Sequence, residues 1–240
     1  MPYAKNQGIH IHYQVEGEGP PLVLQHGSAQ SVENWRQYGY VSALKPSYQL
    51  ILIDARGHGA SDKPRTAAAY RMPLKVSDIT AVLDDLNLSQ THFLGYSMGG
   101  RMGFGLATYA PERVCSLIIG GAHPYKRAPE PFEKRIEGLR RGQKAEATPR
   151  SSYDAEALIA LYRENLDEVG LEAVLPTITT PCLFYAGEDD PYYSGVRDCI
   201  EHIRNVTFVS LPGLNHIQAM ERSDLVLPHL SMFLNELMPT

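Results

Sequence analysis

Gly95-Tyr96-Ser97-Met98-Gly99 sets a serine between two glycines, and glycine recurs at Gly100 and Gly103. The apolar run Thr91–Gly95 precedes it and a helical pattern, Met98–Tyr109, follows. Each glycine in a helix interior costs roughly 1 kcal/mol relative to alanine, so this cluster calls for a reason. A sharp strand-to-helix turn supplies one. It forces its central residue into sparsely populated backbone space and lifts that residue's hydroxyl clear of the sheet, beside helix N–H groups that favour developing negative charge. Small residues on either side keep the neighbouring backbone from colliding. The chemistry so prepared is nucleophilic attack by Ser97. A neutral hydroxyl attacks poorly, so a base must take its proton and a third group must orient the base.

Two later loops carry those residue types. "YAGEDDPYY" holds Asp189 and Asp190, and "LPGLNHIQAM" holds His216. Each follows an apolar run that reads as a strand, so both loops fall at the carboxyl edge of the sheet, where Ser97 lies. His123 closes another such run, and Trp35 and Met220 lie in loops near the same edge; these three are weaker candidates for lining a substrate pocket. His26 reads as a loop-ordering residue. The spacing of His10, His12, His58, His92, His202 and His229 suggests no metal site, and the chemistry requires no cofactor.

The elements that must position these residues alternate along the chain. The apolar runs Tyr48–Asp54, Thr91–Gly95, Val114–Ala122, Pro181–Gly187 and Val206–Gly213 suit a sheet covered on both faces. Helical patterns cover Leu74–Leu88, Met98–Tyr109, Tyr193–Arg204 and Ser223–Leu237. Such alternation predicts an α/β fold with a mostly parallel central sheet flanked by helices. Ile9–Val15 ends at "EGEGPP", a hairpin signal leading into "LVLQHG". From Pro124 to Ile178 the strands stop, and two helical pieces, Pro131–Ala147 and Asp154–Leu175, take their place. That stretch reads as a small helical cap, residues 124–178, inserted into a core of residues 1–123 and 179–240. Its first part is basic: Lys126, Arg127, Lys134, Arg135, Arg140, Arg141, Lys144 and Arg150, read as solvated helix faces.

Composition narrows the partners. A net charge of −5 argues against nucleic acid as a bulk partner, and no apolar run approaches the roughly 20 residues of a membrane span. The N-terminal "MPYAKNQGIHIHYQ" reads as strand, not as a secretion signal. Cys115, Cys182 and Cys199 sit in apolar contexts and read as buried free thiols, so a cytoplasmic location is expected. Nothing in the sequence specifies an oligomeric state.

Taken with their order, these motifs resemble the α/β-hydrolase superfamily, in its serine-nucleophile, capped, esterase-like branch. The resemblance runs from Ile9 to Leu237. It implies the chain order Ser, acid, His and, through the spacing G-x-x-D, favours Asp190 over Asp189 as the acid. It also implies an oxyanion hole from the N–H groups of Met98 and Ser28, the latter in "LQHGSAQ", which has HGSA where one lipase and esterase branch has HGGG. "DARGHGAS" resembles a further superfamily signature, D-x-R-G-x-G-x-S, with Asp54 and Arg56 ordering a turn. The implied activity is carboxylic ester hydrolysis on a small-molecule substrate. A C–C bond, lactone or thioester hydrolase, or a ligand receptor on the same fold, are the alternatives.

Overall fold

In a computed structural model, described over residues 2–126, 136–141, 153–167 and 169–237, the eight strands form one sheet in the order β1-β2-β4-β3-β5-β6-β7-β8. The strands are β1 (Tyr3–Asn6), β2 (Ile9–Glu16), β3 (Pro21–Gln25), β4 (Gln49–Ile53), β5 (Thr91–Tyr96), β6 (Val114–Gly120), β7 (Cys182–Gly187) and β8 (Val206–Leu211). From β4 through β8 every neighbouring pair is parallel; β2 pairs antiparallel with both β1 and β4. The helices are α1 (Val32–Gln37), α2 (Tyr40–Leu44), α3 (Met72–Asp85), α4 (Met98–Tyr109), α5 (136–141), α6 (Ala155–Asp167), α7 (Tyr193–Ile200), α8 (His216–Glu221) and α9 (Ser223–Glu236).

The continuous apolar runs are explained by two cores, one on each face of the sheet. Successive strand residues point to opposite faces, so Val23, Phe93, Leu117 and Ile119 enter one core while Leu24, Leu94 and Ile118 enter the other. On the first face, α3, α4 and α7 supply Val76, Ile79, Phe104 and Val196. On the second, α1, α2, α8 and α9 supply Trp35, Tyr40, Met220 and Leu230. Because β3 and β5–β8 run the same way, the loops after them gather at one edge.

Several local expectations change. The expected hairpin from β2 into β3 does not form: β4 lies between them, since β3 already has parallel partners on both sides. The hairpin is β1–β2, where Asn6 pairs with Ile9 across Gln7 (φ 48°) and Gly8 (φ 85°), the twist that two-residue turns require. Helix α3 begins two residues early, at Met72, because Pro73 is tolerated in a first turn. The second helical piece of the 124–178 stretch ends at Asp167, before Gly170; a 3-10 turn at Glu172–Thr177, containing Pro176, replaces its continuation. Most of Pro131–Ala147 lies outside the described residues, and 136–141 within it is helical. Cys182 and Cys199 are buried, but Cys115 is exposed. The register steps from Thr91↔Val114 to His92↔Ser116, leaving Cys115 as the extra residue of a bulge and turning it outward.

Candidate active site

Ser97 follows β5 directly and precedes α4, with φ 54° and ψ −108°, a region few L-residues occupy. Its N–H donates to the Gly120 carbonyl at 2.8 Å, which pins the turn to β6. The glycines are required by contact. A Cβ on Gly95 would lie 2.4 Å from the Gly99 carbonyl oxygen, and one on Gly99 would lie 2.0 Å from that of Gln25. No alanine fits at either place without moving backbone. The strain is held by close packing of the strand, the turn and the loop after β3.

His216 opens α8. Asn215 caps that helix, accepting from the Ile217 and Gln218 N–H groups at 3.0 Å, while Gln218 Oε1 accepts from the Asn215 N–H at 3.0 Å. This reciprocal box fixes where the helix starts, and with it the direction of the histidine. Asp190 lies in the turn after β7, its own N–H donating to the Gly187 carbonyl at 3.1 Å. The neighbouring N–H of Asp189 donates to the Leu214 carbonyl at 3.0 Å and ties the two loops together.

These elements bring the three side chains into line. His216 Nδ1 lies 2.6 Å from Asp190 Oδ2, and His216 Nε2 lies 2.9 Å from Ser97 Oγ. The Asp190 side chain is wholly buried, whereas that of His216 is 25% exposed. Asp190 Oδ1 accepts from the Tyr192 N–H at 2.8 Å, so both carboxylate oxygens are committed. Asp190 therefore faces the histidine; Asp189 is exposed beside it. A hydroxyl, an imidazole and a buried carboxylate in this sequence can move a proton off Ser97 and hold the resulting positive charge.

Aromatic rings enclose the histidine. Tyr192 meets it edge-on at 5.2 Å, and Tyr96 lies tilted against it at 5.3 Å. The Tyr96 hydroxyl donates to the His216 carbonyl. Burial, and then the Asp190 charge, push the Tyr96 phenol well above its ordinary pKa, so it stays a donor. At the other end of α8, Tyr40 donates to the Met220 carbonyl at 3.2 Å. Sequence gave no sign of Tyr96 or Tyr192 in these roles, because the motif leaves the residue before the serine open.

The weaker candidates divide. His123 packs on Gly195, its ring 5.6 Å from that of Tyr192, which in turn meets His216. Trp35 is completely buried, edge-on to Tyr40 at 5.0 Å, and Met220 is 1% exposed. Both belong to the core on the second face of the sheet. Gln30, which the sequence did not mark, joins Met220 to the loop after β3: its Nε2 lies 3.3 Å from Met220 Sδ, and its Oε1 accepts from the Gly27 N–H at 2.9 Å. Ser28 follows in that loop, and Met98 is the first residue of α4. The 124–178 stretch also reaches this place: Leu158, Leu161 and Tyr162 of α6 form a buried cluster with Met98, Ala55 and Tyr70.

In the loop after β4, Asp54 accepts from the N–H groups of Val32 (2.9 Å) and Ala60 (3.0 Å) and lies 2.7 Å from His12 Nδ1. Arg56 grips Asp78 of α3 through Nε (2.5 Å) and a terminal nitrogen (2.6 Å). The "DARGHGAS" turn is therefore structural, as its sequence implied.

A family model described as the alpha/beta hydrolase fold matches residues 20–158. The chain belongs to that family. Among its relatives are epoxide hydrolase 4 of Mus musculus, 32% identical over 117 residues, and a cis-3-alkyl-4-alkyloxetan-2-one decarboxylase of Shewanella oneidensis, 36% identical over 121. These matches take in 48% and 49% of this α/β hydrolase but only 32% and 37% of the relatives, so it aligns with well under half their length. Over 98% of its length it superposes on the whole enol-lactonase from Burkholderia xenovorans LB400, with a TM-score of 0.84 at 24% identity, a likeness of fold. No described helix is long and apolar enough to cross a membrane.

Proposed function

We propose that this chain hydrolyses carboxylic esters of small molecules through an acyl-enzyme formed on Ser97. The observation that supports this reading is the continuous line from Asp190 through His216 to Ser97, at 2.6 and 2.9 Å. Ser97 Oγ attacks the ester carbonyl while His216 Nε2 takes its proton. Asp190 holds the imidazole in the needed tautomer and stabilises its positive form. The N–H groups of Met98 and Ser28 receive the negative oxygen of the tetrahedral intermediate, where each such donor is worth about 3 kcal/mol. His216 then protonates the leaving alcohol, and a water activated by the same histidine releases the acid. A serine at the nucleophile position separates this chemistry from branches of the superfamily that attack with aspartate. Residues 124–178 act as the cap, and the packing of α6 on Met98 supports that assignment.

The test is hydrolysis of p-nitrophenyl esters with acyl chains of two to twelve carbons, together with labelling by a fluorophosphonate. Many turnovers are expected in the wild type, with kcat falling about a millionfold in Ser97→Ala. The chain-length optimum then sizes the acyl pocket. A single stoichiometric burst would instead indicate a ligand receptor on this fold, and no reaction at all would point to a bond other than a simple ester.

A further inference from the structure

The geometry points to Tyr162, on α6, as a positioning residue for the oxyanion hole, acting through Ser28. Its hydroxyl lies 2.8 Å from Ser28 Oγ, across 134 residues of sequence, and both groups are partly buried. Its ring belongs to the buried cluster that includes Met98. One helix of the 124–178 stretch therefore engages both residues whose N–H groups would face the developing oxyanion. This inference rests on the serine-hydrolase reading and adds to it a dependence of the chemical step on how α6 is seated.

The loop itself gives the reason such a tie matters. Ala29, directly after Ser28, has φ 59°, a conformation that a residue with a Cβ holds only when its surroundings impose it. The ends of the loop are fixed locally: the Gly27 N–H donates to Gln30 Oε1 at 2.9 Å, and the Ser31 N–H donates to Asn34 Oδ1 at 3.0 Å. Between those anchors, Ser28 is held from outside the loop, by Tyr162. A backbone donor serves an oxyanion only if it already points at the place where charge will appear. Seating α6 sets that direction, and unseating it lets the strained segment relax. Substrate held under a seated α6 thus meets a complete oxyanion hole, and substrate under a displaced α6 meets one whose Ser28 donor is no longer held in place.

The experiment compares wild type, Tyr162→Phe, Ser28→Ala and the double variant in full-length protein. Three quantities are read: kcat and KM for p-nitrophenyl acetate, the second-order rate of Ser97 labelling by a fluorophosphonate, and the melting temperature. Each single variant is expected to lower kcat and the labelling rate about three- to tenfold, the size of one neutral hydrogen bond, with KM nearly unchanged. The double variant is expected to match the singles, because both remove the same bond. Wild-type labelling in Tyr162→Phe, or losses that multiply in the double variant, would overturn the inference and leave the hydrolase reading intact. Should Tyr162→Phe melt early, Ser28→Ala decides alone, since it leaves α6 untouched, and an unchanged rate there overturns the inference. A wild type that neither turns over nor labels would overturn both.

Discussion

Asp190 shows how much one residue's surroundings decide. Asp189 and Asp190 are adjacent and chemically identical, yet one is exposed and the other has a wholly buried side chain with both oxygens engaged. In the proposed mechanism, Asp190→Asn leaves the shape intact but offers His216 an amide, which favours the wrong tautomer. A fall in kcat on the order of 10⁴ is expected, while Asp189→Asn should stay within about twofold because its side chain faces solvent. Steady-state kinetics on one ester checks both, and a larger loss from Asp189→Asn would reverse the assignment. Ser97 and His216 were legible because each stands in a recognisable local context: a glycine-flanked turn, and a loop after a strand. The choice between the aspartates came from family spacing, because two neighbours in one loop have the same local signal. Tyr96, Tyr192 and Gln30 were illegible for a related reason. Their contacts join segments far apart in the chain, and nothing in their own neighbourhoods reports it.

At the scale of elements, the period of the apolar residues marked the strands and longer helices, since burial on both faces leaves a continuous run and burial on one face a helical one. The short helices α1 and α2 left too few turns to show a period, although Ser31 and Asn34 form a capping box at the start of α1. Pairing was harder to read: "EGEGPP" signals a turn whatever strand the chain joins next, and here the chain leaves β2 for a place two strands away. What fixes the loop after β4 is the buried Arg56, which joins Asp78 of α3 to the carbonyls of Ala69 and Leu74 (3.1 Å for the latter). Arg56→Ala leaves the Asp78 carboxylate buried without its cation, a change that typically costs 3–5 kcal/mol. Urea unfolding should show a loss of about that size, with the m-value unchanged. A loss under about 1 kcal/mol would mean that water enters and replaces the guanidinium.

For the whole molecule, acid stability follows from buried histidines, two of which pack against each other. His26, in the loop after β3, and His58, in the loop after β4, are buried with ring centroids 5.2 Å apart. Burial, and then the neighbouring His26, push the His58 pKa down to about 3, and burial likewise lowers that of His26. Both rings are therefore neutral in the folded protein at neutral pH, while an unfolded chain takes up protons near pH 6.5. For His58 between pH 6.5 and 3, the unfolded state binds the additional proton, so unfolding becomes easier as pH falls, by up to about 1.4 kcal/mol per pH unit. The stability contributed by the neutral ring is present above pH 6.5 and is lost through that window. Asp54, held below its ordinary pKa, contributes in the same sense only at more acid pH, because its unfolded value lies near 3.8. A scan of unfolding free energy from pH 7 to pH 4.5 lies above the Asp54 window and reads the buried histidines together, His92 included, since burial lowers its pKa as well. His58→Gln removes one of these groups and should flatten that slope by up to one proton, whatever it does to stability at pH 7. An unaltered slope would mean that the folded protein admits a charge at His58. The loops carrying Ser28 and Arg56 would then tolerate opening around the ring without unfolding, and acid would act on the site before it acts on the fold.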